Sequence, residues 1–207
     1  MNNQFQKLHI ALQNYLYGAR YHRALKAFDL AKKYHTGFRK DGVTPEFQHQ
    51  LEIALFITTL KDVANEEEAI IVALFHDLLE DYPEVTVERI SQLVGIGPTN
   101  SIVAISKQIH GHTQHQLMGH YFAAIAKDQE ASLVKGCDRI RNLQTMIGVF
   151  STEKQKDYVV ETKTFFLPML KEAAGLFPTQ YLAYMNIRTM LKSQIELIEA
   201  MWEGSEP

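Results

Sequence analysis

Apolar and polar residues follow one another along this chain with the period of a helix almost everywhere. In "YHRALKAFDLAKKYH" the residues Leu25, Phe28 and Ala31, and Ala24, Ala27, Leu30, Ala31 and Tyr34, recur three and four apart. That stripe predicts an amphipathic helix. The pattern breaks at "TGFRKDGVTP", which holds two glycines and a proline. Pro45 then falls in the first turn, and Thr44 in the N-cap place, of a helix through "PEFQHQLEIALFITTL". A loop near Asp62–Asn65 leads to "EEEAIIVALFHDLLED", predicted as one helix with an acidic first turn and stopped by Pro83. "TVERISQLVG" predicts a short helix closing on Gly95, and "TNSIVAISKQI" another, capped by Thr99 or Asn100. "HGHTQHQLMGH" is the least regular stretch and reads as a loop or flap. Helical patterns then run roughly over 119–128, 130–147, 153–173 and 179–202.

Strand signals are nearly missing: there is no Asn-Gly hairpin and no sustained alternation of β-branched residues. No repeat, low-complexity tract or linker divides the chain. The expectation is all-α: one helical domain over 1–207 with about eight to ten helices, the last packing on the rest. At 207 residues the chain is long enough for a sizeable core, and a net charge of −3 excludes a generally basic nucleic-acid binder. The single cysteine, Cys137, forbids an intrachain disulfide and fits a reducing cytoplasm. The N-terminal "MNNQFQKLHI" has no signal pattern, and the apolar runs at 53–58 and 69–75 are too short to span a bilayer. A soluble cytoplasmic protein without nucleic-acid or membrane partners is expected; the pattern is silent on oligomeric state.

Candidate chemistry gathers where the apolar run Ile71–Phe75 ends in His76-Asp77 and, two leucines on, Glu80-Asp81. On one helix His76 and Glu80, Asp77 and Asp81, and Asp77 and Glu80 stand three or four residues apart and share a face. His49 lies in the preceding helix, and Asp138 interrupts the apolar and basic "SLVKGCDRIRNL". Singly, each has a bland explanation: a hydrogen-bonded histidine, a solvated helix end, a core charge. Together they offer two imidazoles and two carboxylates, a mixed shell that suits manganese, iron or zinc better than calcium. No activated serine or cysteine is evident, and Cys137 reads as a packing residue.

These residues carry a resemblance. "HTGFRKDGVTPEFQH", "HDLLED" and "KGCDRIRNLQT", in that order, resemble the HD-domain metal-dependent phosphohydrolases, and most closely the alarmone hydrolase domain of the RelA/SpoT family. "ETKTFFLPML" is similar to that family's later Glu-Thr and Pro-Leu stretch, so the likeness covers about residues 20–175. The resemblance implies an HD-type helical bundle in which His49, His76, Asp77 and Asp138 hold one divalent ion, typically Mn²⁺. Glu80 and Asp81 would flank the attacking water, one accepting its proton and orienting it. Arg39 would pack on a purine, Lys40 approach phosphate, and Asn142 and Thr145 lie on the purine and ribose side. Lys107, Lys135 and Arg139 would add positive field or serve structure.

The implied activity is removal of the 3′-pyrophosphate from a purine alarmone of the stringent response, (p)ppGpp to GDP or GTP. The same reaction on (p)ppApp, another HD-type nucleotide phosphohydrolase activity, and a non-catalytic alarmone-binding module are the alternatives. Three departures bear on substrate preference: Glu46 stands where the family commonly has tyrosine, Gln50 where it has proline, and Arg141 where it has histidine. At this length the chain is expected to be a small stand-alone hydrolase without a synthetase domain. The histidines His110, His112, His115 and His120 are expected in a segment over the active site rather than in a second metal site.

Overall fold

Helical periodicity is realised over most of residues 3–107 and 115–203, the parts of the chain described by the computed structural model. The first half contains α1 (Asn3–Ala19), α2 (His22–Tyr34), α3 (Glu46–Ile57), α4 (Glu66–Phe75), α5 (Leu78–Asp81), α6 (Val87–Val94) and α7 (Ile96–Ile105). The second contains α8 (His115–Ile125), α9 (Gln129–Thr145), α10 (Thr152–Glu161), a π turn (Thr162–Phe166), α11 (Leu167–Leu176), a 3₁₀ turn (Pro178–Gln180) and α12 (Tyr181–Glu203). Among the described residues there is no strand, only an isolated bridge between Phe38 and Pro45. The all-α expectation holds.

The bundle is built around α4. Every residue from Ala69 to Phe75 is buried, so this helix has no solvated face and is stable only in the interior. Helices α2, α3, α7 and α9 pack on it. Full burial of one Ile, Leu or Phe side chain stabilises by roughly 1.5–3 kcal/mol, which makes α4 the anchor for its neighbours. In α9 the buried face includes the polar Lys135, Asp138 and Arg139 as well as Leu133, Val134 and Ile140. It also packs on α3, α7, α8, α11 and α12, and Gly136 sets the approach of the last two. A Cβ there would stand 2.9 Å from Ile187 Cγ2 and 2.9 Å from Leu170 Cδ2.

Several boundaries differ from the sequence expectation, each for a local reason. The helix predicted over 66–81 is broken at His76-Asp77. Asp77 sits at φ −100°, ψ −5°, its carbonyl accepts from the amides of Glu80 (3.1 Å) and Asp81 (3.0 Å), and α5 lasts four residues. Thr44 does not cap α3. Its hydroxyl donates to Asp41 Oδ2 at 2.5 Å, and Pro45 takes the N-cap position with no side-chain bond. Asp41 Oδ1 also accepts the amides of Val43 and Thr44, both at 2.9 Å, while Gly42 supplies φ +74°. "FRKDGVT" is therefore a hydrogen-bonded turn, not a loose loop.

α7 begins at Ile96 rather than at Thr99 or Asn100. Gly95, at φ 90°, both closes α6 and opens α7, and the Thr99 hydroxyl donates back to its carbonyl at 2.7 Å. Helix α8 starts at His115, so that part of the segment expected as a loop is helical, held by the buried Tyr121, Phe122 and Ile125. His120 is exposed on it, whereas His110 and His112 lie outside the described residues. The pattern over 153–173 is divided by the π turn, where the Thr162 hydroxyl donates to Tyr158 O at 2.6 Å. Helix α1, not predicted, buries Leu12 and Leu16 against the bundle.

Candidate functional site

Three elements of the core meet at one point. Helix α3 supplies His49, the break after α4 supplies His76 and Asp77, and α9 supplies Asp138. One ligand atom each from His49, His76 and Asp77 fall within 4.8 Å of one another. Asp138 Oδ1 adjoins them, 3.0 Å from His49 Nε2 and 3.8 Å from His76 Nε2. All four residues expected as ligands are thus brought together.

The tautomer of His76 follows from its surroundings. Its Nδ1 lies 2.8 Å from the carbonyl of Ala73, which can only accept, so Nδ1 carries hydrogen. Nε2 then points into the cluster. It is 3.0 Å from Asp77 Oδ2, but the two atoms are not aligned and this buried nitrogen has no hydrogen-bond partner. A buried polar atom left unmatched among other acceptors is the arrangement a cation completes.

Electrostatics agree with that donor set. Burial, the largest influence, pulls both imidazoles down. For His49 it prevails over the hydrogen bond to Asp138 and lowers the pKa. For His76 the carboxylates of Asp77 and Asp138 outweigh it and lift the pKa to about 9. Burial works against the charge on Asp77 and Asp138 as well, but His76 beside the first and the His49 bond to the second hold both well below the usual carboxylate range. Two carboxylates stay charged with two imidazoles between them, and the fit to a borderline divalent cation is good.

A cleft of about 450 Å³ opens above the cluster. Arg39, Lys40, Asn142 and Thr145 line it, together with Glu80 and Asp81, so every residue expected on the substrate side faces one space. Arg39 donates to Asn142 Oδ1 at 3.0 Å, and Asn142 donates to Asp138 Oδ1 at 2.6 Å, which links the "RKDG" turn to the cluster. The Thr145 hydroxyl donates to Arg141 O at 2.9 Å and is left as an acceptor toward the cleft. Glu80 Oε1 accepts the Lys107 amide at 2.7 Å. Asp81 lies at the open edge. Lost hydration against the cleft wall, then the charges of Asp77, Glu46 and Glu80, raise it to about 6.

Sequence reasoning missed part of the wall. Phe150 and Tyr158 line the cleft, with Lys40 Nζ 5.3 Å and Lys154 Nζ 4.3 Å from the Phe150 ring centroid. The only cue was an aromatic residue four before a lysine, past a glycine. Arg139 is buried between the rings of Tyr158 and Phe166 and paired with Glu161. Arg141 pairs with Glu52. Lys135 is buried beside Asp138, and Cys137 is buried as a packing residue.

An all-helical bundle presenting His-Asp at a helix break, with a second histidine and a distant aspartate, defines an HD-type divalent-metal protein. The HD domain family profile matches residues 27–176, and the chain belongs to that family. Divalent-metal binding comes with this membership, and the His/Asp cluster is the set available for it. A probable guanosine-3′,5′-bis(diphosphate) 3′-pyrophosphohydrolase of Synechocystis is 29% identical over 150 residues, covering 70% of this chain and 19% of that protein. A protein of Aquifex aeolicus named guanosine-3′,5′-bis(diphosphate) 3′-pyrophosphohydrolase is 30% identical over 151 residues, 70% of this chain and 20% of its own length. The bifunctional (p)ppGpp synthase/hydrolase SpoT of Escherichia coli is 25% identical over 171 residues, 80% and 24% respectively. The chain spans about a fifth to a quarter of the length of these curated relatives. No helix among the described residues is long and apolar enough to cross a membrane.

Proposed function

We propose that the cleft hydrolyses a purine alarmone, removing the 3′-pyrophosphate of (p)ppGpp to leave GDP or GTP, with Mn²⁺ as the ion. The observation that carries this reading is the convergence of His49, His76, Asp77 and Asp138 beneath a cleft walled by Glu80, Asp81, Arg39 and Lys40. The names of the relatives support the choice of substrate. A bound divalent ion supplies Lewis acidity, easing loss of a proton from water and offsetting charge on phosphoryl oxygens.

The chain's own residues do the rest. Asp81, poised at about 6, takes a proton from the attacking water and can return it to the departing 3′ oxygen. Glu80, fixed by the Lys107 amide, orients that water. Lys40 and Lys154 beside Phe150 meet phosphate, while Arg39, steadied by Asn142, offers a planar face to the base. Water adds across one phosphoester bond, so nucleotide and pyrophosphate are the only products.

The test is incubation of the purified protein with Mn²⁺ and ppGpp or ppApp, products resolved by anion exchange, with Asp77→Ala as control. Pyrophosphate release from ppGpp, abolished in the control, is expected. Release from ppApp alone would reassign the base, and turnover of neither with metal bound would overturn the hydrolase reading.

A further inference from the structure

Glu46 stands at the first position of α3, on the cleft wall beside Asp81, and the function above makes no use of it. Its backbone amide donates to Gly37 O at 2.9 Å, which fixes the start of the helix. Its Oε2 accepts the hydroxyl of Tyr82 at 3.2 Å. Tyr82 is the residue immediately after α5, and its ring packs on Tyr34 and edge-on against His35, centroids 5.1 and 5.4 Å away. Behind the carboxylate lies His35, fully buried, with Nδ1 3.6 Å from Glu46 Oε1 and neither ring nitrogen hydrogen-bonded. The short contact of the carboxylate is therefore the one to Tyr82.

That contact matters because of what it holds. A four-residue helix has no stability of its own, and α5 carries both Glu80 and Asp81. Its front is held by Asp77 and by Glu80 accepting the Lys107 amide. Its rear is held by Tyr82.

We infer that Glu46 is a positioning residue: through the Tyr82 hydroxyl it clamps the end of α5 to the start of α3 and so holds Asp81 at the reacting centre. The clamp needs only an acceptor at a fixed place, and is separate from the charge that Glu46 also places near Asp81. Its consequence in turnover rests on the hydrolase reading, but the clamp itself does not.

The experiment compares Glu46→Ala, Glu46→Gln and Tyr82→Phe in the full chain. Amide exchange of Glu80 and Asp81 is followed by NMR, and kcat and KM are measured on ppGpp with Mn²⁺. Exchange at these two amides is expected to speed up at least about tenfold in Glu46→Ala and Tyr82→Phe. A fall in kcat of about tenfold should accompany it, with KM within about twofold of wild type. Glu46→Gln, which keeps a carbonyl for Tyr82, should recover the exchange to within about twofold, and Glu46→Ala with Tyr82→Phe should be no worse than either alone. Unchanged exchange in Glu46→Ala, or exchange in the Gln variant as fast as in Ala, would overturn the clamp. A wild-type protein that does not turn over ppGpp would remove the hydrolase reading, while the exchange data would still decide the clamp.

Discussion

Helix α9 buries polar groups in two places that behave in opposite ways. Near its N-terminus the Ser132 hydroxyl meets Tyr184 Oη at 2.7 Å and Asp128 O at 2.7 Å, and Gln180 Nε2 reaches the same tyrosine at 2.8 Å. Tyr184 in turn bonds Gln129 O at 3.1 Å. Donors and acceptors match, and the result ties α9 to α12. Six residues on, Asp138 enters a cluster in which His76 Nε2 has no bonded partner and two carboxylates share one volume with two imidazoles. A satisfied network holds a fold together, whereas a cluster of ligand-type side chains with an unmatched nitrogen is one that a cation can complete.

This contrast can be broken deliberately. The largest effect is expected for Asp77→Ala, which removes a carboxylate from the unmatched cluster. Turnover should fall about a thousandfold or more, and isothermal titration should show Mn²⁺ affinity lost while the helical circular dichroism spectrum is kept. Ser132→Ala acts at the matched network and should leave kcat and Mn²⁺ affinity unchanged. If Ser132→Ala affected metal binding as much as Asp77→Ala, the distinction between the two places would fail.

Acidity sharpens the same comparison. Without metal, His76 titrates near 9 in the fold, against 6.5 as the ordinary value. A folded pKa above the unfolded one means the protonated ring contributes stability in full below pH 6.5, and loses that contribution as pH rises through about 9. The metal-free protein should therefore melt at progressively lower temperature from pH 6.5 to 9. If His76 ligates the ion, Mn²⁺ must displace that proton, and apparent affinity should climb over the same interval by up to about tenfold per pH unit. Melting curves with and without Mn²⁺, and titration calorimetry in buffers of different ionisation enthalpy, report the two halves. A flat affinity profile would mean that His76 is not deprotonated on binding.

Smaller effects are expected in the structural half of α9. Gly136→Ala places a methyl 2.9 Å from both Ile187 and Leu170 and should cost about 1–3 kcal/mol in urea unfolding. Activity of the folded fraction should remain. Ser132→Ala, the mildest, should cost about 1 kcal/mol, because Tyr184 keeps other partners.

Much of this protein was legible in the amino-acid sequence because it depends on local order. Apolar residues three and four apart produce α2, α3, α9 and α12 whatever they pack against. The types and order of His49, His76, Asp77 and Asp138 mark a candidate ligand set before any distance is known, and the fold brings the four together. What escaped was decided by neighbours. The stretch 66–81 reads as one helix, since nothing in the side-chain pattern reports that Asp77 leaves helical geometry and α5 restarts from its carbonyl. Thr44 reads as a cap until Asp41 is seen to hold it. Phe150 and Tyr158 reach the cleft only because the chain turns back after α9, with Arg139 of α9 against the Tyr158 ring, and no spacing between them and His76 could show it. Periodicity sets the helices and composition sets the chemistry, but the break, the turn and the far wall of the cleft arise from contacts between residues distant in the chain, which only packing brings within a few ångströms.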